Sequence, residues 1–511
     1  MNVLSVTSEM FPLVKTGGLA DVAGALPKAM SAHNIDMRTL LPGYPIVLER
    51  LAPPTKVTDI DIFGMECRLL SSDVNGLPLL VLDAPSLYSR PGGPYVDEHG
   101  RDFSDNWRRF SAISFAAASI AEGLPGGFWK PDLVHLHDWQ TALTSVYLKY
   151  TFQSRIPTVL TIHNLAFQGK FGFEELENIA LPEAAFGIDC LEYYGAASFL
   201  KGGIQTADVV TTVSPTYARE IVTHDLGMGM DGVLKSNKSK LKGIVNGIDV
   251  EVWDPSRDPC LISTFGPESP DRRAGNRNYL MNLFDFSGRS GPLFAVVSRL
   301  TWQKGIDLLI DAVPHLVESG GHLIVCGEGD RALQDGLRVL TKHYPENVAV
   351  SIGYNEGLAH LIHGGADFVI QPSRFEPCGL TQLYALRYGA IPLVSRTGGL
   401  SETIIDANDA ANAMETATGI QFHPVTTTEL EHAIDRAFDI FGQPTLMRRL
   451  QTHAMRSDFS WKYSADRYAD LFRGLVSVSP KVLPLSDPRA IRQPSLVVPS
   501  PTSSIAARVS K

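Results

Sequence analysis

Short apolar runs alternate along this chain with longer amphipathic stretches, a pattern that predicts βα units around parallel sheets. In the first half the predicted strands are Val3–Val6, Leu79–Leu82, Leu133–His135, Thr158–Ile162 and Val209–Val213. The pattern breaks between about Asp254 and Ser290, where Pro, Gly, Asn, Asp and Arg accumulate. It then restarts with Leu293–Val297, Leu323–Cys326, Val348–Ile352, Phe368–Ile370 and Ile391–Val394. We therefore expect two α/β, Rossmann-like, doubly wound domains, residues 1–250 and 251–456. A last helix over 457–476 carries apolar Tyr468, Leu471, Phe472 and Leu475, and 477–511 turns to Pro, Ser and Val, the composition of a disordered tail.

Composition narrows the function. A chain of 511 residues exceeds one hydrophobic core, which supports the two-domain reading. Its net charge of -10 argues against a general nucleic-acid binder. Cys67, Cys190, Cys260, Cys326 and Cys378 show neither zinc-type spacing nor an even disulfide framework, which suits a reducing compartment. The start, Met1-Asn2-Val3-Leu4-Ser5-Val6, lacks the features of a signal peptide, and no run is long and apolar enough to span a bilayer. A cytoplasmic protein is expected.

Candidate chemistry gathers where predicted strands end. Thr-Gly-Gly-Leu occurs twice, behind Lys15 with Asp21 following and behind Arg396 with Glu402 following. Paired glycines before a helix let backbone N–H groups approach a phosphate, although a tight turn has the same look. Ser298 to Gly305 follows a strand and opens a helix, and Arg299 and Lys304 flank the turn, where both can reach one diphosphate. Arg374 to Gln382 follows another strand; Pro377 restricts Glu376, which then points in a fixed direction and can bind sugar hydroxyls or stabilise a cationic transition state. Cys378 beside it reads as a small packing residue. His135, His137, Asp138 and His163 lie at strand ends, with Trp139 as a stacking surface; they suit a hydroxylated ligand better than a metal. Gly327-Glu328-Gly329-Asp330-Arg331-Ala332 fits a loose dinucleotide pattern, but the next strand ends in Gly353-Tyr354 without the acid that would hold a ribose.

Taken together, Lys15 to Val22, His137-Asp138-Trp139, His163-Asn164, Asn246 to Asp249, Ser298 to Gly305 and Glu376 to Gln382 resemble the bacterial glycogen synthase family, the ADP-glucose-dependent glycogen and starch synthases among the retaining glucosyltransferases. The resemblance runs from residue 1 to about 476. It implies a GT-B fold, with an N-terminal glucan domain and a C-terminal nucleotide-sugar domain facing across a deep cleft, and a final helix that crosses back onto the first domain. The implied reaction moves glucose from ADP-glucose to the non-reducing 4-OH of an α-1,4-glucan such as glycogen, with retention and without a metal or other cofactor.

The resemblance also implies roles. Arg299 and Lys304 would neutralise the diphosphate, assisted by the backbone of Gly379, Leu380 and Thr381; Lys15 and Gly18 would close over the donor. Asp21, Asn246 and Cys378 complete the donor set, and Tyr354 would lie against adenine. His163 and Glu376 would orient the glucose, while Asp138, Tyr95 and Trp139 would line the acceptor side. The chain has Tyr384 where many retaining GT-B enzymes carry a second glutamate. Three alternatives stay open: a preference for UDP-glucose, a metal-dependent hydrolase built on His135, His137, Asp138 and His163, and a glucan-binding protein without turnover.

Overall fold

The computed structural model describes residues 1–478 apart from residues 125, 177, 287, 289 and 354. The expected tail thus lies, from 479 onward, outside the described residues, as does Tyr354; Ser477, assigned to the tail from composition, belongs to the last helix, Trp461–Val478.

Among the described residues the first sheet has nine strands. In chain order it takes β1 (Asn2–Val6), β2 (Asp36–Pro42), β3 (Thr55–Ile62), β4 (Met65–Val74), β5 (Leu77–Asp83), β6 (Leu133–His137) and β7 (Thr158–Ile162). A small antiparallel sheet of β8 (Lys170–Phe171), β9 (Glu192–Tyr193) and β10 (Ala196–Ser198) intervenes. The large sheet then closes with β11 (Val209–Thr212) and β12 (Leu241–Gly243), in the order β12-β11-β7-β6-β1-β2-β5-β4-β3. Strands β12 to β5 of that order pair parallel, as expected for βα units, although β2 and β12 are not among the predicted strands.

Strands β3 and β4 depart from that pattern. They form antiparallel hairpins at the sheet edge. Two-residue turns make them: Phe63-Gly64 and Asn75-Gly76 have positive φ at both positions, which matches the twist of adjoining antiparallel strands.

The second sheet has β13 (Leu293–Val297), β14 (His322–Gly327), β15 (Val348–Ile352), β16 (Phe368–Gln371), β17 (Ile391–Ser395) and β18 (Ile420–Phe422). All its pairings are parallel, in the order β15-β14-β13-β16-β17-β18. The order reverses between β13 and β16 here, and between β1 and β6 in the first sheet. At such a switch point, loops leave neighbouring strands in opposite directions and open a crevice at the carboxyl ends. The loops and helix starts that follow these four strands carry most of the candidate site residues, while His163, Asn246 and Tyr95 come from beyond β7, β12 and β5.

The last helix returns to the first sheet. Trp461, Ala465, Tyr468, Ala469 and Phe472 are buried with Val3, Val22, Leu26, Met30, Val159 and Val209. The return is pinned at Asn246 to Asp249, where the Ile248 N–H donates to the Phe459 carbonyl at 2.8 Å. Gly247 permits this contact, since a Cβ there would stand 2.6 Å from the backbone nitrogen of Trp461.

Gly247→Ala is expected to cost roughly 1–3 kcal/mol, the usual range for overpacking. Thermal unfolding of the full chain checks this, and an unchanged melting temperature would show that the return has slack.

Candidate functional site

The crevice of the second sheet centres on an ion pair. Lys304 Nζ lies 2.5 Å from Glu376 Oε2, and the two side chains are 19% and 6% exposed. Ser373 Oγ also donates to Glu376 Oε2 at 3.0 Å. Lys304 is therefore a half-buried partner of an acid, not the free surface cation that its place at a turn suggests. Arg299, on the same turn, is exposed.

The turn and the acid loop are knitted together. The Arg374 N–H donates to the Gln303 carbonyl at 2.9 Å, and the Arg374 guanidinium grips Asp307 at 2.6 and 2.7 Å while lying over the Trp302 ring. Gly305 has φ +67° and passes so close to Pro372 that a Cβ would stand 2.0 Å from its carbonyl oxygen. Downstream, Gly379 has φ +74° and leads into the helix Thr381–Tyr388, whose first turn presents backbone N–H groups near the crevice. Asn246 is buried and contacts Cys378, whose thiol burial pushes up to about 12. Cys378 is thus a packed, protonated thiol rather than a nucleophile.

The two Thr-Gly-Gly-Leu loops are physically unlike. In the second, a Cβ on Gly398 would meet the Glu376 carbonyl oxygen at 1.9 Å and one on Gly399 would meet that of Cys378 at 2.1 Å. The Gly399 N–H donates to the Glu376 carbonyl at 2.9 Å, and the Gly398 N–H donates to Glu220 Oε1, also at 2.9 Å. This helix start is occupied by a carboxylate of the protein and buttresses the Glu376 loop; it does not offer the phosphate cradle that its glycines suggest. In the first loop a Cβ on Gly17 would meet nothing within 4 Å, and one on Gly18 only the side chain of Leu380, at 3.4 Å. That loop has room, and it faces Leu380 of the other half.

The first loop is positioned by a residue that sequence reasoning missed. Glu9, just past β1, accepts from the Thr16 N–H, the Thr16 hydroxyl and, at 3.2 Å, the Tyr95 hydroxyl. Burial raises its pKa against these hydrogen bonds. The only sequence signal was an acid at the carboxyl end of the first strand. Lys15 Nζ lies 2.7 Å from Asp21, whose pKa is raised by burial despite that lysine, with the Glu356 charge adding to the rise.

At the switch point of the first sheet, β6 delivers His137 and Asp138. Asp138 has φ 57° and ψ -170°, a conformation almost confined to glycine, and such strain gathers at functional sites. It is held there by the Asp138 N–H donating to the Thr161 carbonyl at 2.9 Å and by the His163 N–H donating to Asp138 Oδ1 at 2.7 Å. Burial pushes its pKa up to about 7, opposed by the backbone N–H groups of His163 and Asn164.

Two of the three histidines are bonded to each other. His137 Nδ1 and His163 Nε2 are 2.9 Å apart, His137 Nε2 meets Ser5 Oγ at 3.1 Å, and His135 Nε2 meets Thr161 Oγ1 at 2.7 Å. Burial lowers all three, His137 to about 3, so they are neutral hydrogen-bonding groups. The ring nitrogens a metal would need on His137 are both engaged. His163, at the rim, is half-buried.

Trp139 corrects an expectation. Its ring is buried against Phe110, Phe171 and Phe199, and Gly169 closes over it, so it is a core aromatic and not an open stacking surface. Tyr95 is half-buried, with its hydroxyl on Ser8 and Glu9. The dinucleotide-like glycines also have a packing cause: a Cβ on Gly327 would stand 1.9 Å from the Ser298 carbonyl oxygen, and one on Gly329 would stand 2.2 Å from that of Leu300. They let two strand-end loops run side by side.

The sequence model of the starch synthase catalytic domain family matches residues 2–236, and that of glycosyl transferases group 1 matches residues 287–445. A glycogen synthase of Rhizobium etli is 53% identical over 93% of this chain and 99% of its own length; glycogen synthase 1 of Rhizobium meliloti is 53% identical over 93% and 100%. The catalytic domain of starch synthase IV from Arabidopsis thaliana, solved with ADP and acarbose, superposes with a TM-score of 0.84 at 30% identity, covering 93% of this chain and 99% of that one. Sucrose-phosphate synthase of Thermosynechococcus elongatus shares the fold, with a TM-score of 0.57 at 17% identity over 94% of this chain and all of its own. Two Rossmann-like domains in the GT-B arrangement, matched nearly end to end by such relatives, identify the chain as a member of the bacterial glycogen synthase family of glycosyltransferases.

Proposed function

We propose that the enzyme transfers glucose from ADP-glucose to the non-reducing 4-OH of an α-1,4-glucan with retention, residues 1–250 taking the glucan and 251–456 the nucleotide sugar. The observation that carries this reading is the Lys304–Glu376 pair at the switch point of the second sheet, with Arg299 on the same turn. A glucosyl transfer builds positive charge on the sugar and negative charge on the leaving diphosphate, so fixed cations and a fixed carboxylate side by side fit both charges. The ADP bound by the Arabidopsis relative supports adenine as the base. Lys15 and Gly18 approach from the other half, and the helix beginning at Thr381 adds N–H donors.

His163, neutral and held by His137, suits a hydroxyl contact rather than acid catalysis. Asp138 and Tyr95 would face the acceptor; Trp139 would support that wall from within. Attack on the same face as departure, with the leaving phosphate taking the hydroxyl proton, requires no protein base. The five free cysteines support the cytoplasmic placement.

Purified protein given glycogen should release ADP from ADP-glucose and lengthen the glucan with EDTA present, and faster than it releases UDP from UDP-glucose. Absence of release from either donor would remove this reading.

Lys304→Ala is expected to lower kcat by roughly 10²–10³-fold, the cost of losing one preorganised transition-state donor. It should also cost stability, because it leaves Glu376 buried without its counter-charge. Adding Glu376→Gln should restore the melting temperature but not turnover; joint recovery of both would make the pair purely structural.

Asp138 adds a pH dependence. Between the ordinary carboxylate range and about 7 the folded protein keeps a proton that the unfolded chain has released, so its contribution to stability falls as pH rises through that window. Asp138→Asn keeps the acceptor for the His163 N–H and removes the buried charge. The variant should melt above the parent at pH 8, by an amount that shrinks toward pH 5, while turnover drops. An equal difference at both pH values would contradict the buried-charge account.

A further inference from the structure

Outside the cleft of the reaction, three side chains of metal-binding chemistry converge in the second half. Asp258, Cys260 and His360 each point one ligand atom inward, and these atoms lie within 4.8 Å of one another, the only such group of three found among the described residues. We propose that they form a binding site for one thiophilic divalent cation, of which Zn²⁺ is the natural candidate.

The site is built rather than incidental. The side chains of Asp258 and His360 are 1% and 6% exposed, and His360 Nδ1 stands 2.6 Å from Asp258 Oδ2. The His360 ring is fixed by stacking on Trp253 at 3.8 Å between centroids, and Trp253 stacks on Tyr384 in turn. The Cys260 N–H donates to Asp258 Oδ1 at 2.9 Å, which closes a two-residue turn and sets the carboxylate and the thiol on one side. Tyr388 donates its hydroxyl to Asp258 Oδ2 at 2.5 Å, the outer-partner arrangement that orients a metal-binding carboxylate.

Cys260 opens to solvent and gives the ion an entry path. One thiolate, one imidazole and one carboxylate leave a fourth position for water, a common zinc arrangement with bonds of about 2.0–2.3 Å. On binding, the thiol loses its proton to solvent, and the neutral imidazole carries its one N–H on Nε2 so that the Nδ1 lone pair takes the ion.

Its position gives the site a reach. His360 lies on the helix Glu356–Gly365, and Cys260 Sγ lies 3.7 Å from where a Cβ on Gly357 would be. An ion would therefore tie the loop at 258–260 to the first turns of that helix. Glu356, at its start, acts electrostatically on Asp21 of the Lys15 loop.

Titration of the metal-free full-length protein with Co²⁺ tests the proposal. One equivalent should produce a thiolate-to-cobalt charge-transfer band with the visible bands of a tetrahedral ion, and Zn²⁺ should displace it stoichiometrically. Cys260→Ser, at an exposed position, should fold normally and lose the charge-transfer band. Tyr388→Phe should keep the band and weaken cobalt affinity by about 10–100-fold. Zn²⁺ should also protect Cys260 from alkylation, mapped by mass spectrometry. No charge-transfer band in the parent protein, or a band that survives in Cys260→Ser, would overturn the site.

Discussion

The structure turns on a carboxylate held inside a crevice. Glu376 is buried, and a buried charge is costly unless it is paired and hydrogen-bonded, so Lys304 and Ser373 must both reach the same oxygen. That requirement propagates outward. Ser373 is held through its carbonyl, which accepts from Ser395 Oγ at 2.5 Å, and the Glu376 carbonyl accepts from Gly399. A hydroxyl on β17 and a backbone N–H on its following loop therefore fix the acid loop, while Arg374 and Asp307 lock the Lys304 turn to it. The strand order makes the arrangement available: where the loops leaving the neighbouring strands β13 and β16 part in opposite directions, they can face one another across an open space.

The same logic separates the two glycine loops. At Gly398 and Gly399 small residues serve contact, because two backbones meet at distances no Cβ allows. At Gly17 and Gly18 they serve vacancy, since little protein lies nearby. The capping of the Gly398 helix by Glu220 fastens the halves of the molecule beside the site, with Arg219 reaching Glu402 at 3.3 Å on the same seam. An acid from the first half and the Glu376 carbonyl thus occupy the Gly398 and Gly399 N–H groups that a phosphate would otherwise find. Gly17 and Gly18 of the first loop, by contrast, leave room beside Leu380 of the second half.

Much of the fold was legible because parallel strands buried on both faces are written as continuous apolar runs; β1, β7, β13 and β17 appear in the sequence almost to the residue. The β3–β4 hairpin was not, because its strands are half exposed and carry polar residues such as Lys56, Asp59 and Asp61, although Asn75-Gly76 marks a turn. In the site, motifs that sit whole on one loop, such as Ser298 to Gly305 and Glu376 to Gln382, could be found from the chain alone. Glu9 could not, because its partners Thr16 and Tyr95 come from different loops. Trp139 misled for a related reason: an indole at a strand end looks accessible until Gly169 is seen to close over it. Asp258 and His360 stand a hundred positions apart, and no spacing rule joins them.

The two walls of the crevice differ in charge in a way that suits the proposed transfer. On the first-sheet side, burial keeps His135, His137 and His163 neutral and raises Asp138, so that wall offers directional hydrogen bonds with little fixed charge. On the second-sheet side Lys304, Arg299 and Glu376 stand together on two adjoining loops. Hydroxyls are recognised well by neutral donors and acceptors whose orientation is fixed, whereas a departing diphosphate needs cations that do not have to reorganise as charge develops. Had the histidines been protonated, they would have opposed positive charge forming on the sugar. Keeping them neutral by burial, with His137 bonded to His163 and His135 to Thr161, would leave the ionic work to the loops that Glu376 and Lys304 hold together.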